Sequence, residues 1–321
     1  MYRFNQQRQN VALNRTPSVA IPMYSIFVFG FLPESSGKTV ISSALAKGMV
    51  NRGVKTCVFK PRSGHNAWYQ YDVFLRCKSE GRLFCEDIIK LKGACKCSLP
   101  FEVLNPVDAL LSPLDAKTFL KRKMINQFYL FESDIFLHLI AERYTICEEY
   151  ARNILLINIK ALKSPFVMKD IEYTRKLKEN ADEVLFLKDS NEWNSIFQKY
   201  GPKAIRSCYR KISEKADCVV VEGFNDAVCP DKSLRYDIVI GVAPGVAVFC
   251  DAENFHMVIE TLEKLGKDPR SLRAEDIVKY LKIIKILRVP PIRSSYLKDY
   301  EILSGKLDPV TDLSLRLLQK R

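Results

Sequence analysis

Apolar and polar positions along this chain alternate between two periods. Tyr24-Ser25-Ile26-Phe27-Val28-Phe29-Gly30 is a short, almost wholly apolar run. Runs of that length suit a strand buried on both faces. Beyond it, Val40, Ile41, Ala44, Leu45, Gly48 and Met49 recur at helical spacing. Gly53 follows, where a glycine often ends a helix. Val54 to Lys60 reads as the next strand, which Pro61 cannot continue. Strand, helix and strand in that order predict parallel pairing within a covered sheet.

The same reading extends along the chain. Residues 66–93 look mostly helical, and Gly93 to Pro113, with three prolines, reads as loop. Long amphipathic stretches follow, such as Thr118 to Tyr150. Two strand-like runs lie among them, Asn153 to Ile159 and Glu183 to Leu187. Asp217 to Gly223 is the clearest buried strand. Tyr236 to Val242, Val246 to Phe249 and 283–288 are further strands, with helices over 251–266 and 274–283. The expectation is α/β: a doubly wound, mostly parallel sheet in one domain over 23–321, with a largely helical insertion at about 114–215. Residues 1–22, rich in Gln, Asn and Arg, read as a disordered tail. Met23, directly before the first strand, could equally be the true start.

Between the first strand and first helix lies Glu34-Ser35-Ser36-Gly37-Lys38-Thr39. A loop ending in G-K-T at a strand–helix junction suits nucleotide phosphates. Its amides and the helix N-terminus face the anion, the lysine adds charge, and the Thr hydroxyl ligates Mg²⁺. This P-loop pattern usually has glycine five residues before its G-K, where this chain has Leu32. Gly30 lies two positions earlier and Pro33 stiffens the loop. Backbone amides supply most phosphate contacts, so the variant loop retains its chemistry.

Composition narrows the remaining classes. The chain has 321 residues, 47% hydrophobic and 27% charged, enough for a sizeable core. It has no uninterrupted apolar run of the roughly 20 residues that span a bilayer, so no membrane association is expected. The net charge is +13, but Lys and Arg are mixed with Asp and Glu along the whole chain. That spread suits nucleotide phosphates better than a nucleic-acid groove. Ten cysteines show no zinc spacing; Cys95 and Cys97 are the only close pair. They read as buried thiols in a reducing cytoplasm. His65, His138 and His256 come without a G-x-S-x-G elbow, which argues against a serine hydrolase. His65 reads as a solvent-facing loop histidine.

Four further segments, taken with the G-K-T unit, resemble the dethiobiotin synthetase family of P-loop enzymes. Phe59-Lys60-Pro61-Arg62-Ser63-Gly64 is similar to its K-P-x-x-S-G segment. Cys85-Glu86-Asp87-Ile88-Ile89 resembles its helix with a magnesium-binding aspartate. Leu104 to Pro113 resembles its N-P…S-P stretch, and Val219-Val220-Val221-Glu222-Gly223 its V-V-E-G segment. The resemblance covers about half the chain, roughly 24–113 and 216–292.

It implies an ATP- and Mg²⁺-dependent ligase acting through a carbamate and a mixed carbamic-phosphoric anhydride, and a homodimer. Lys38, Lys60 and Ser63 would be catalytic, and Thr39, Asp87 and Glu222 would supply metal oxygens. Glu34 to Thr39 would hold phosphate, and Pro290 and Pro291 would cradle adenine. Each has a plainer alternative: Glu222 a strand-end carboxylate, Asp87 a helix cap, Lys60 a snorkelling lysine, Ser63 a turn serine, Pro290-Pro291 a turn. The chain departs from the family pattern at Leu32-Pro33, at Phe224-Asn225 and in the length of 114–218, which leaves the small acid or amine substrate open. A regulatory P-loop ATPase whose insertion binds a protein partner is the competing reading.

Overall fold

A computed structural model describes residues 23–320; the tail expected at 1–22 lies outside the described residues. Eleven strands fall into two sheets rather than the single sheet expected. The strands are β1 (Tyr24–Gly30), β2 (Thr56–Phe59), β3 (Arg62–Asn66), β4 (Val107–Leu111), β5 (Leu139–Cys147), β6 (Ala151–Asn158), β7 (Glu183–Leu187), β8 (Cys218–Glu222), β9 (Ile238–Ala243), β10 (Val246–Cys250) and β11 (Ile283–Arg288).

The first sheet runs β11-β10-β9-β1-β8-β2. Its four strands β9, β1, β8 and β2 are parallel. β10 and β11 extend it antiparallel beyond a turn at Pro244-Gly245. Ile26, Phe27, Val28 and Phe29 are all wholly buried. Successive strand side chains point to opposite faces, so both faces of the sheet are covered. On one face Phe27 stacks on Tyr236 at 4.5 Å between ring centroids and meets Phe255 at 5.9 Å. Phe255 belongs to the helix Ala252–Lys264, capped by Asp251, whose carboxylate accepts the Asn254 N–H. Helix α1 (Lys38–Asn51) packs along β1, β2 and β8, and the C-terminal helices Tyr300–Lys306 and Asp308–Leu318 pack on α1.

The second sheet runs β3-β4-β5-β6-β7, parallel at both ends and antiparallel in the middle. Residues 114–215 hold six helices and three strands. Those strands, β5 to β7, join β3 and β4 from outside the segment, so the segment is woven into the sheet. The loop expected over 93–113 is instead a short helix, Phe101–Leu104, followed by β4. The helical reading of Thr118 to Tyr150 fails at β5. Strand β5 pairs on both sides and buries Glu142, Arg143 and Thr145, so polar residues there mark internal bonding rather than a solvent face. The long helix Ser190–Ser213 packs on β5 and touches β2 and β8, bridging the two sheets.

Only Lys60 and Pro61 separate β2 from β3. The Lys60 N–H donates to Leu104 O at 2.8 Å, so the chain passes from one sheet to the other without a free loop. Helix α3 (Glu86–Cys95) packs on β2. This brings Cys97, just past α3, to Cys57 in β2, and the two form a disulfide with Cα atoms 5.5 Å apart. The expectation of ten buried thiols is corrected at this pair. Among the described residues no helix is long and apolar enough to cross a membrane.

The aromatic contact between β1 and its covering helix yields a direct test. Phe255→Ala removes a wholly buried ring and is expected to lower the unfolding free energy by about 3–5 kcal/mol, measured by urea denaturation.

Candidate functional site

The loop 31–37 leaves the C-terminal end of β1, where open parallel sheets place their ligands. The Phe31 N–H donates to Val242 O at 2.9 Å and anchors the loop to β9. Ser35 and Gly37 both take left-handed backbone conformations, at φ 53° and 92°. Gly37 supplies that conformation at low cost immediately before α1. No side chain caps α1, and its first turn holds no acidic residue. The first amides and the positive end of the helix therefore face the cleft with no protein anion on them.

Lys38 folds back across this loop, its Nζ 3.2 Å from Ser36 Oγ. A Cβ at residue 30 would lie 2.5 Å from Ser36 Oγ and 2.9 Å from Lys38 Nζ. The lysine's path thus requires glycine at position 30, two residues ahead of the usual motif glycine. Burial and the neighbouring Lys60 ammonium hold Lys38 below its ordinary value, against the pull of Glu222 and Asp87.

Lys60 reaches the same place from the seam between the sheets. Its Nζ lies 2.5 Å from Glu222 Oε1, 3.0 Å from Asp87 Oδ2 and 3.2 Å from Gly223 O. Thr39 Oγ1 stands 3.1 Å from both Asp87 Oδ1 and Glu222 Oε1. Five residues from the first turn of α1, the junction of β2 and β3, α3 and β8 therefore converge. Burial alone would lower the Lys60 value, but Asp87 and Glu222 outweigh it and raise it. Burial pushes the wholly buried Glu222 up, with Lys60 opposing. Asp87, whose side chain is 36% exposed, is desolvated at the cluster, yet Lys60 and Thr39 hold it below the usual carboxylate range.

Lys38, Thr39, Lys60 and Asp87 line a cleft of about 710 Å³ together with Ser63, Tyr69 and Phe224, while Glu222 is wholly buried behind them. Glu34, Ser35, Ser36 and Gly37 also line it, from the loop before α1. Ser63 lies on its floor, but its hydroxyl is committed to Asp108 Oδ1 at 2.6 Å, with Asn105 Oδ1 at 3.0 Å. Pro290 and Pro291 are not brought to this cleft. They are exposed and follow the edge strand β11, three strands from β1.

Thr39, Asp87 and Glu222 are oxygen donors of the kind magnesium takes. Glu222 Oε2 is buried without a hydrogen-bond partner, on the carboxylate whose Oε1 meets Thr39 and Lys60. Magnesium commonly takes one or two carboxylates and completes its shell with water and phosphate oxygens. Among the described residues no group of three or more His, Cys, Asp or Glu forms a self-sufficient cage, so phosphate would have to contribute.

Several residues escaped the sequence reading. His65 lies in β3 rather than in a solvent-facing loop, and is buried with Nδ1 3.2 Å from Asp108 Oδ2. Asp108 comes from β4, an unrecognised strand, so nothing nearby in sequence marked the pair. Tyr69 lies 80% exposed on the cleft wall beside Trp68 and Tyr71. The aromatic cluster Trp68-Tyr69-Gln70-Tyr71 in a polar stretch was its available signal. No protein-family profile, curated protein or solved structure matches this chain.

The buried charge cluster predicts a pH-dependent penalty. Lys60→Met leaves Glu222 without its counter-charge and is expected to cost about 3–5 kcal/mol of stability at pH 7. A carboxyl held above its ordinary value favours folding while protonated, and that contribution is lost as pH rises through its folded value. The penalty should therefore shrink as pH falls into the carboxylate range. Denaturant titrations of both proteins at pH 7 and pH 5 measure this.

Proposed function

We propose that the chain is a P-loop, ATP- and Mg²⁺-dependent ligase, similar in chemistry to dethiobiotin synthetases, that phosphorylates a carbamate or carboxylate of a small substrate. The observation that carries this reading is the convergence of Lys38, Thr39, Lys60, Asp87 and Glu222 at one end of a parallel sheet. Phosphoryl transfer needs chiefly positioning and charge neutralisation, and these residues supply both.

In this reading the amides of residues 35–39 and the Lys38 ammonium seat the terminal phosphates. Lys38 exchanges its contact with Ser36 for a phosphate oxygen. Thr39, Asp87 and Glu222 hold the metal, which screens phosphate charge when bound. Lys60 stays between the nucleotide site and the floor of the cleft, where it orients the acceptor's oxyanion. An acceptor oxygen attacks the γ-phosphorus, the bridging P–O bond to ADP breaks, and a mixed anhydride remains. An amine of the substrate then displaces phosphate to close a ring or form an amide. Ser63 and Gly64 of β3 line the same cleft, and in this reading they face the acceptor.

The test is ATP turnover with Mg²⁺ in wild type and Lys38→Ala, with and without diaminopelargonic acid plus bicarbonate. The reading predicts acceptor-dependent turnover that falls about 100- to 1000-fold in the variant. Turnover that depends on Lys38 but ignores that diamino acid would remove this acceptor. If it also ignored other amino acids and carboxylates, the chain would be a regulatory ATPase.

A further inference from the structure

Far from the cleft in sequence, β5 and the long helix Ser190–Ser213 bring two thiols together. Cys147 ends β5 and is half-buried; Cys208 is buried in the helix. Their Sγ atoms are 3.3 Å apart. Two bonds hold this register. The Cys147 N–H donates to Ser207 Oγ at 3.0 Å, and Cys208 Sγ lies 3.2 Å from Thr145 O. Disulfide sulfurs stand at about 2.05 Å, so closure requires the two sulfurs to approach by roughly 1 Å.

Cys147 opens onto a groove of about 560 Å³, lined by Lys203, Arg206, Arg210 and Lys211 of the helix and by Glu148, Glu149 and Glu214, with Cys208 buried behind it. Lys203 is paired with Glu148 at 2.9 Å and Lys211 with Glu214 at 3.2 Å. Contact with Cys208 holds the Cys147 thiol below its ordinary value, and Lys211 and Arg143 add to this. Burial pushes Cys208 up. A half-buried thiol held low, at the groove, beside a buried thiol held high is the division that thiol–disulfide exchange uses.

We propose that Cys147 and Cys208 form a reversible dithiol–disulfide site, closed by exchange with a small-molecule disulfide that enters this groove. The Cys147 thiolate attacks one sulfur of the incoming disulfide, whose S–S bond breaks and releases one thiolate. Cys208 then loses its proton and attacks Cys147 Sγ, releasing the second thiolate. Two protein thiols are oxidised and one small disulfide is reduced to two thiols. The product bond joins β5 to the helix that also touches β2 and β8, and so fastens the second sheet to the first.

Oxidised glutathione added to the folded full-length chain, followed by thiol blocking and non-reducing peptide mapping, tests this. The expected product is a peptide pair linked through Cys147 and Cys208, with a melting temperature raised by roughly 5–10 °C and restored by dithiothreitol. Cys208→Ser should accumulate a glutathione mixed disulfide at Cys147, and Cys147→Ser should form neither product. A wild type with no 147–208 link, whether Cys147 stays free or retains glutathione, overturns the proposal. That mapping needs no variant, so it decides the matter even if Cys208→Ser does not fold.

Discussion

The Lys60 ammonium, held between Glu222 and Asp87, is the interaction on which the rest of the site depends. Glu222 is wholly buried at the end of β8, the strand between β1 and β2. A carboxylate there is tolerated only with a matched cation. Lys60 sits where β2 ends and β3 begins, so the same charge neutralises the first sheet and fixes the start of the second. Asp87 joins through α3, and Thr39 through the first turn of α1. Four elements remote in sequence are thereby held to one point.

Around that point the loop before α1 is built, in the proposed reading, for an anion rather than for its own stability. Its helix start carries no side-chain cap and no acidic residue, although such groups stabilise helix ends elsewhere in this chain. Asp251, Asp189 and Asp170 each cap their helices through a carboxylate. Leaving α1 uncapped forgoes stabilisation of order 1 kcal/mol, which a bound phosphate would restore. Lys38 rests against Ser36 and over Gly30 in the meantime, and so keeps its charge close to the seat.

The first sheet was legible because its strands are short apolar runs with turn residues at their ends, as in Ile26 to Phe29 and Val219 to Val221. The G-K-T junction was legible because the period changes from strand to helix across it. The second sheet was not. β4 lies between Pro106 and Pro113, and β5 buries Glu142, Arg143 and Thr145, which meet Trp193, Asn105 and Asn153 from other elements. Arg143 alone donates to Leu83, Asn105 and Pro106 carbonyls. Such satisfaction is tertiary, and no local pattern shows it. The same holds for His65, whose burial follows from Asp108 on the neighbouring strand.

The pairing of β1 and β2 has a consequence for how the chain is made. Among the described residues β2 pairs only with β8, and β1 only with β8 and β9. A ribosome thus releases β1 and β2 about 160 to 190 residues before their partner emerges. The whole second sheet, from Arg62 to Leu187, is synthesised in that interval. Strand β1, apolar and wholly buried from Ile26 to Phe29 in the folded chain, therefore waits, edges open, while the second sheet's strands can already pair. Long-range parallel pairing of this kind forms slowly and exposes unpaired strand meanwhile. Nascent β1 is the stretch on which a cell's chaperones would have to act.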